Sequence, residues 1–543
     1  MLIKMSEFHF TKTRRYAGAT AIAAALFASV LAAPAAGFAQ DAGKPVVIAR
    51  DMDLNSLDPS RAFCDTCQIY LSSVYDRLVD LSPDNKLVPS LAKEWSTSAD
   101  QKVITFKLDP AAKFSDGSAV EAKDVKWTLE RLKNMKGGMA YLLDNVTSIE
   151  APDAATVVVT LSAANSEFVG SLTAPYAGII NSDLVMQHGG DAGADASAKD
   201  TAEQWLLANS AGAGPYVLSN YSPDHELRLK RNENYWATKK PAVGEFVFLQ
   251  TKDAVSQTQL LESGSADIAT QVDPTTAKNI TNPDIVVDTK PSFNMVYIAI
   301  SPGAKNLPHP LNAKIREAIA SAIDYDGIID LTVDGKGKRL SSPIPTGFPG
   351  SGTGEAPKYD VEKAKKLMAE EGVTDGFTLD ATYPNVNQYG VDYSLMMQKI
   401  QQDLAEINIK LELKPVEFSV WREKINSDGI PLTAVFFAPD YYGSSQYAQY
   451  FAMMDGTVWY KRAGGKADPA LANPETPKIL AEALSAGGDK SAELFGKLGE
   501  TMANDHVIVP IVAPDAVLVS RKGVSGLRFS ACCNIVLSDI KAD

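Results

Sequence analysis

The chain runs to 543 residues, 45% hydrophobic and 22% charged, the balance of a soluble globular protein of roughly two to four domains. Its formal net charge is −14 and no basic run of any length occurs, which speaks against a nucleic-acid partner. An acidic surface favours solubility and gives cationic ligands a mildly attractive field, without specifying one.

Residues 1–16 carry Lys4, Lys12, Arg14 and Arg15 against Glu7, and Ala17 to Ala36 is a run of small and apolar residues. With Gly37-Phe38-Ala39 as a small-x-small cleavage site, residues 1–39 read as a secretory signal peptide. A membrane anchor needs about 20 strongly apolar residues; this run is mostly alanine and contains Pro34. Arg14-Arg15 hints at the twin-arginine route, although Tyr16-Ala17 lacks the usual following pattern. No cysteine precedes Cys64, so no lipidation site falls at the cleavage point.

Beyond Gln40, Val46–Ile48 reads as a first strand, and Ile69 to Leu81 as a helix with Leu71, Val74, Tyr75 and Leu78 on one face. Val103–Leu108 and Val157–Leu161 are strands, and Asp124–Leu132 a short helix after the Ser115-Asp116-Gly117 turn. Asp191–Thr201, rich in Ala, Asp and Gly, reads as an exposed loop. Phe246–Leu249, Ile285–Val287 and Met295–Ile300 are further strands, and Asn312 opens a helix with the stripe Ile315, Ala318, Ile319, Ala322 and Ile323. Ser341–Pro357 is a long Gly/Pro loop; Val361–Met368 is a helix ended by Gly372. Met397, Ile400, Leu404 and Ile407 form the next helical stripe, flanked by strands at Leu379–Tyr383, Ile409–Leu413 and Leu432–Phe437. The alternation argues an α/β fold with mixed sheets.

The most telling stretch is Gly212–Trp236, GAGPYVLSNYSPDHELRLKRNENYW. Gly212, Gly214 and Pro215 are expected to make a tight turn into a strand. Tyr216–Tyr221 and Glu226–Lys230 then form a hairpin around Ser222-Pro223-Asp224, with Leu227 and Leu229 on its buried face. This stretch resembles the "GTGPY…L.RN..YW" signature of family 5 bacterial solute-binding proteins, the receptors of ABC importers for peptides, nickel and related solutes. The same resemblance is carried by Leu57-Asp58-Pro59, Pro89-Ser90-Leu91-Ala92 with Trp95, and Phe114-Ser115-Asp116-Gly117. Arg316-Glu317-Ala318-Ile319 with Ala322-Ile323-Asp324 carries it further. It spans roughly residues 46–543 in uninterrupted order.

The resemblance implies a two-lobed periplasmic binding protein fold with an additional domain. Lobe I would be 40–82, 208–290 and 508–543, the additional domain 83–207, and lobe II 291–507. It implies a monomer in the periplasm that encloses a small-molecule or peptide ligand by hinge closure and delivers it to an inner-membrane ABC permease. Neither catalysis nor a cofactor is expected: there is no Walker A loop, HExxH or GxSxG, and His9, His188, His225, His309 and His506 are scattered singly.

Within the aromatic run Phe436–Phe451, Asp440 matches the aspartate that takes a ligand's α-ammonium group in peptide-binding relatives. Phe437 and Phe418 match aromatics of the pocket wall, and Tyr441 and Tyr442 offer cation–π or stacking contacts. The usual proline after that aspartate is replaced by Tyr442-Gly443-Ser444-Ser445. Where relatives place a carboxylate-binding arginine, this chain has Asn387 and Ala434. The implied ligand carries a positive amine but no free carboxylate at the usual place: a long peptide, an amino-sugar conjugate or a modified amino compound. Phe63, Cys64, Asp65 and Cys67 align with a lobe I segment that touches the ligand, and complete the candidate pocket.

Cys64-x-x-Cys67 and Cys532-Cys533 suggest disulfides in an oxidising compartment, with three connectivities open. Zinc or copper(I) binding by the two pairs is a rival. Rival functions are a nickel-chelate, haem or oligosaccharide receptor of the same fold, or a secreted CxxC redox protein or hydrolase.

Overall fold

The structure, a computed structural model, describes residues 43–427 and 429–543; the expected signal peptide lies outside the described residues. Two mixed sheets and one antiparallel sheet carry most of the strands. The seven-stranded sheet runs Ile285–Lys290, Ala516–Arg521, Ile268–Ala269, Val46–Arg50, Glu245–Gln250, Glu226–Arg231, Tyr216–Ser222. The six-stranded sheet runs Gly337–Lys338, Ile508–Pro514, Met295–Ile300, Leu432–Phe437, Phe377–Pro384, Ile409–Val416. A four-stranded antiparallel sheet orders Ala92–Thr97, Val103–Leu108, Thr156–Leu161 and Val146–Asp153.

The strand Val46–Arg50 pairs in parallel on both sides and is buried on both faces. Val46 and Ile48 join the core around the helix Asp65–Val74, while Ala49 joins a smaller cluster with Leu261 of the helix Ala254–Ser263. The six-stranded sheet is covered by the stripe of Ala313–Ser321 on one face, where Asn312 caps the helix by accepting from the Ile315 amide. On the other face, Met295, Tyr297 and Ala299 meet Trp459 and Phe451.

Ile508–Pro514, assigned above to lobe I, pairs antiparallel with Met295–Ile300 in the six-stranded sheet. The chain therefore passes between the two mixed sheets at 291–294 and again at Asp515.

Two secondary-structure expectations are corrected. The helix expected at Ile69–Leu81 is Asp65–Val74; Tyr75 turns extended, and Val79–Leu81 pairs with Leu87–Pro89. Leu71, Val74, Tyr75 and Leu78 are nonetheless all buried. Asp191–Thr201 contains a helical turn, Ala196–Lys199, and ends at a buried Asp200. Arg131, itself fully buried, lies between Asp200 and Asp58 of the Leu-Asp-Pro motif, with contacts of 2.6–2.9 Å to the two carboxylates.

The glycines of the signature hairpin serve close approach rather than turn freedom. A Cβ on Gly212 would sit 1.9 Å from the Val74 carbonyl oxygen, and one on Gly214 2.5 Å from the Val74 carbonyl carbon. The Gly214 amide donates to that same oxygen at 3.0 Å, so hairpin and helix end touch backbone to backbone. Asn232 seals the turn through Pro215 and Gly214 carbonyls. The Trp236 indole donates to Asp76 at 2.8 Å.

Candidate functional site

A cavity of about 410 Å³ opens where the strand ends of the seven-stranded sheet meet the 387–390 hairpin, the 291–294 passage and Asp515. Its wall includes Arg50, Asp53, Asp65, Thr270, Asn294, Asn387 and Tyr389.

Asp65 is the first residue of the helix Asp65–Val74, bracketed by a Cys64–Cys67 disulfide with a Cα separation of 5.0 Å. The Asp53 carboxylate accepts from the amides of Asp65 and Thr66, both at 2.9 Å, and from the Thr66 hydroxyl. This fixes the segment that presents Asp65. The Asp65 carboxylate accepts from Tyr389 Oη at 3.1 Å, across the cavity. Burial, and then the charge of Asp53, push its pKa up to about 7 against the opposing pull of Arg50.

Tyr389 sits at φ +55° beside Gly390 at +83°, at the tip of the hairpin pairing Asn387–Gln388 with Val391–Asp392. A two-residue turn with both central residues left-handed matches strand twist and is unusual for tyrosine. Here it delivers a hydroxyl to Asp65.

Asp440 follows the strand Leu432–Phe437 and is buried. Its carboxylate accepts from Tyr141 Oη at 2.8 Å, and burial pushes its pKa up to about 6. Neither Asp65 nor Asp440 forms an ion pair with a described residue, and the charge of Asp440 adds to the upward push on Asp65. The loop after Asp440 follows a path set by neighbours. The Glu167 carboxylate accepts from the amides of Ser444 and Ser445 at 2.8 and 2.7 Å, and Gln446 bonds the Asp440 amide and the Tyr441 and Gly443 carbonyls.

The sequence-predicted residues divide. Asp65 and Asn387 are on the cavity wall, whereas Asp440, Cys64 and Cys67 do not line it. Phe437 stacks among Tyr447, Tyr450 and Phe451, and Phe418 against Trp421 and Phe436. Tyr441 is buried with its hydroxyl on Ser445, and Tyr442 reaches the Gly347 carbonyl while packing on Cys532 and Cys533. Both tyrosines are thus engaged by protein groups. Phe63 is 47% exposed and outside the cavity wall. Ala434 is buried mid-strand in the six-stranded sheet. Cys532 pairs with Cys533, so both cysteine pairs close locally and leave no thiolate for zinc or copper. Among the described residues no group of three or more His, Cys, Asp and Glu is disposed to hold a metal ion, and no helix is long and apolar enough to cross a membrane.

Arg50, Tyr141, Glu167 and Tyr389 escaped the sequence reading. Only Tyr389-Gly390 left a local trace, as a hairpin-turn dipeptide.

Comparison with known proteins gives this geometry a family. The family model "Bacterial extracellular solute-binding proteins, family 5 Middle" matches residues 86–457. The glutathione-binding protein GsiB of Pectobacterium atrosepticum is 27% identical over 417 residues, 76% of each chain. The "Probable D,D-dipeptide-binding periplasmic protein DdpA" of Escherichia coli is 26% identical over 495 residues, 89% of this chain and 91% of its own. The fold is shared with the dipeptide-binding protein of Pseudoalteromonas sp. SM9913 in complex with Met-Leu, at a TM-score of 0.78 and 20% identity, covering 92% and 100% of the two chains. The chain belongs to the bacterial extracellular solute-binding proteins of family 5, as a binding protein rather than an enzyme, with the two-lobed α/β fold and an additional domain.

Proposed function

We propose that this protein is the periplasmic receptor of an ABC importer, capturing an amine-bearing, peptide-like solute between its lobes for delivery to an inner-membrane permease. Lobe I comprises 43–82, 208–290 and the chain after Asp515, the additional domain 83–207, and lobe II 291–514. The observation that carries the reading is the pair of buried carboxylates, Asp65 and Asp440, each met by a tyrosine hydroxyl and neither ion-paired with a described residue. A buried carboxylate without a counter-charge is costly. An ammonium group brought by the solute would ionise both carboxylates and make charge-assisted bonds worth about 1.5–3 kcal/mol each. The ligands in the names of GsiB and DdpA, glutathione and a D,D-dipeptide, have the peptide-like character the reading requires.

The test is a thermal-shift screen on mature protein stripped of co-purified solute by unfolding and refolding. Peptides, amines, amino-sugar conjugates, oligosaccharides and metal chelates are the probes. A rise of several degrees with an amine or peptide, lost in Asp440→Ala, supports the reading. A rise with sugars or chelates that persists in Asp440→Ala overturns it.

A further inference from the structure

Arg50 closes the strand Val46–Arg50 on the face shared by Val46 and Ile48, toward the helix that begins at Asp65. It is 1% exposed, and although its charge acts on Asp65 it makes no ion pair with a described residue: Nε reaches only the Asp51 carbonyl, at 3.5 Å, and Nη1 has no hydrogen-bond partner among the described residues. Arginine cannot shed its proton, so the cost of this burial is relieved only by an acceptor, best an anion. The obvious intramolecular candidates are otherwise held. Asp53 is spent on the Asp65 and Thr66 amides, Asp51 accepts from Gln250, and Asp65 accepts from Tyr389. Arg50 lines the cavity. So do Thr270 and Asn294, whose Oγ1 and Oδ1 are likewise buried and unpartnered.

We propose that Arg50 binds the carboxylate of the solute, making this a receptor for zwitterions whose anionic end is held from lobe I. The proposal rests on the amine-binding reading above and adds the opposite end of the ligand. A guanidinium presents two parallel donors that match one carboxylate. The neighbouring Asp51 and Asp53 disfavour a more highly charged phosphate by like-charge repulsion. The solute is then an amino-carboxylate, such as a short peptide or an amino-acid conjugate. Its carboxylate is displaced from the positions of Asn387 and Ala434 to the end of the first strand.

The experiment is calorimetric titration of stripped mature protein with di- and tripeptides, γ-glutamyl peptides and amino-acid conjugates. Each is offered as the free acid, the C-terminal amide and the N-acetyl derivative. Wild type is expected to bind the acid at least about tenfold more tightly than the amide. In Arg50→Gln that ratio falls to near one, whatever the affinity for the amide itself, and Arg50→Lys restores part of it. An acid-to-amide preference that survives Arg50→Gln, or is missing in wild type, overturns the proposal. Melting of Arg50→Gln is the control: because the arginine has no ion-paired partner among the described residues, Tm is expected to change little, and a fall of about 5 °C or more assigns Arg50 a structural role and overturns the proposal. Failure of the underlying reading looks different. N-acetyl acids would then bind as well as free amines and be indifferent to Asp440→Asn, while still depending on Arg50.

Discussion

At the residue scale, Asp440 and Asp65 behave as carboxylates short of a counter-charge, and pH should expose them. An amine solute needs the ionised form, so with Asp440 held near 6 and Asp65 near 7, affinity is expected to be level above about pH 7.5. It should fall up to about tenfold per unit below pH 6. Calorimetry in buffers of different ionisation enthalpy should detect proton release on binding near pH 6.5. Asp440→Asn should weaken binding by roughly ten- to a hundredfold, and equal affinity in wild type and variant would remove Asp440 from the site. How much of this was legible follows residue by residue. Asp440 was named through a motif and Asp65 through the match of its segment to one that touches ligand in peptide-binding relatives. Tyr141 lies 299 positions from Asp440 and Tyr389 lies 324 from Asp65, and no local pattern records partnerships formed only when distant segments meet.

The elements tell a similar story of what periodicity sees. Apolar spacing located most strands and the stripe of Ala313–Ser321, because burial on one face is a local property. It overran the end of the helix Asp65–Val74, because that end is set by Gly212–Gly214 arriving from elsewhere. Gly214→Ala should therefore cost more than an ordinary turn substitution, at least about 2 kcal/mol in urea unfolding, since the clash is with backbone. Arg131→Ala would leave Asp58 and Asp200 with Arg61 as their one remaining ion-paired partner among the described residues, a loss of about 3–5 kcal/mol or failure to fold. Asp76 offers a pH test independent of ligand. Burial lifts it to about 7 despite the Trp236 bond, so it is raised in the folded state relative to the unfolded one. Its favourable share is complete below about pH 4 and lost as pH rises through 7. Tm should decline between pH 5 and 8, and Asp76→Asn should flatten that decline; an unchanged slope would assign it to other carboxylates.

For the whole molecule, the four-stranded region reaches across to the segments that follow the strand Leu432–Phe437 of the six-stranded sheet. Gln101 donates to the Ser485 carbonyl, the Ser166 amide to Leu484, Tyr141 to Asp440, and Glu167 accepts from Ser444 and Ser445. If lobe closure encloses the solute, these bonds belong to the closed state. Glu167→Gln is then expected to speed solute release several-fold while leaving the association rate near wild type, as stopped-flow fluorescence would show. A change confined to association would place Glu167 in the encounter step instead.

The passages between the two mixed sheets, 291–294 and Asp515, also line the cavity through Ser292, Asn294 and Asp515. The Ser292 hydroxyl ties one passage to the other by donating to the Pro514 carbonyl at 2.5 Å. A solute resting there presses on the fulcrum of the molecule rather than on its rim. If the lobes close about these passages, a small displacement beside the fulcrum becomes a large one at the far end, and side chains in this floor are expected to set the amplitude of movement as well as to touch the solute. Cutting the tie with Ser292→Ala should widen the distribution of distances between spin labels on the two lobes.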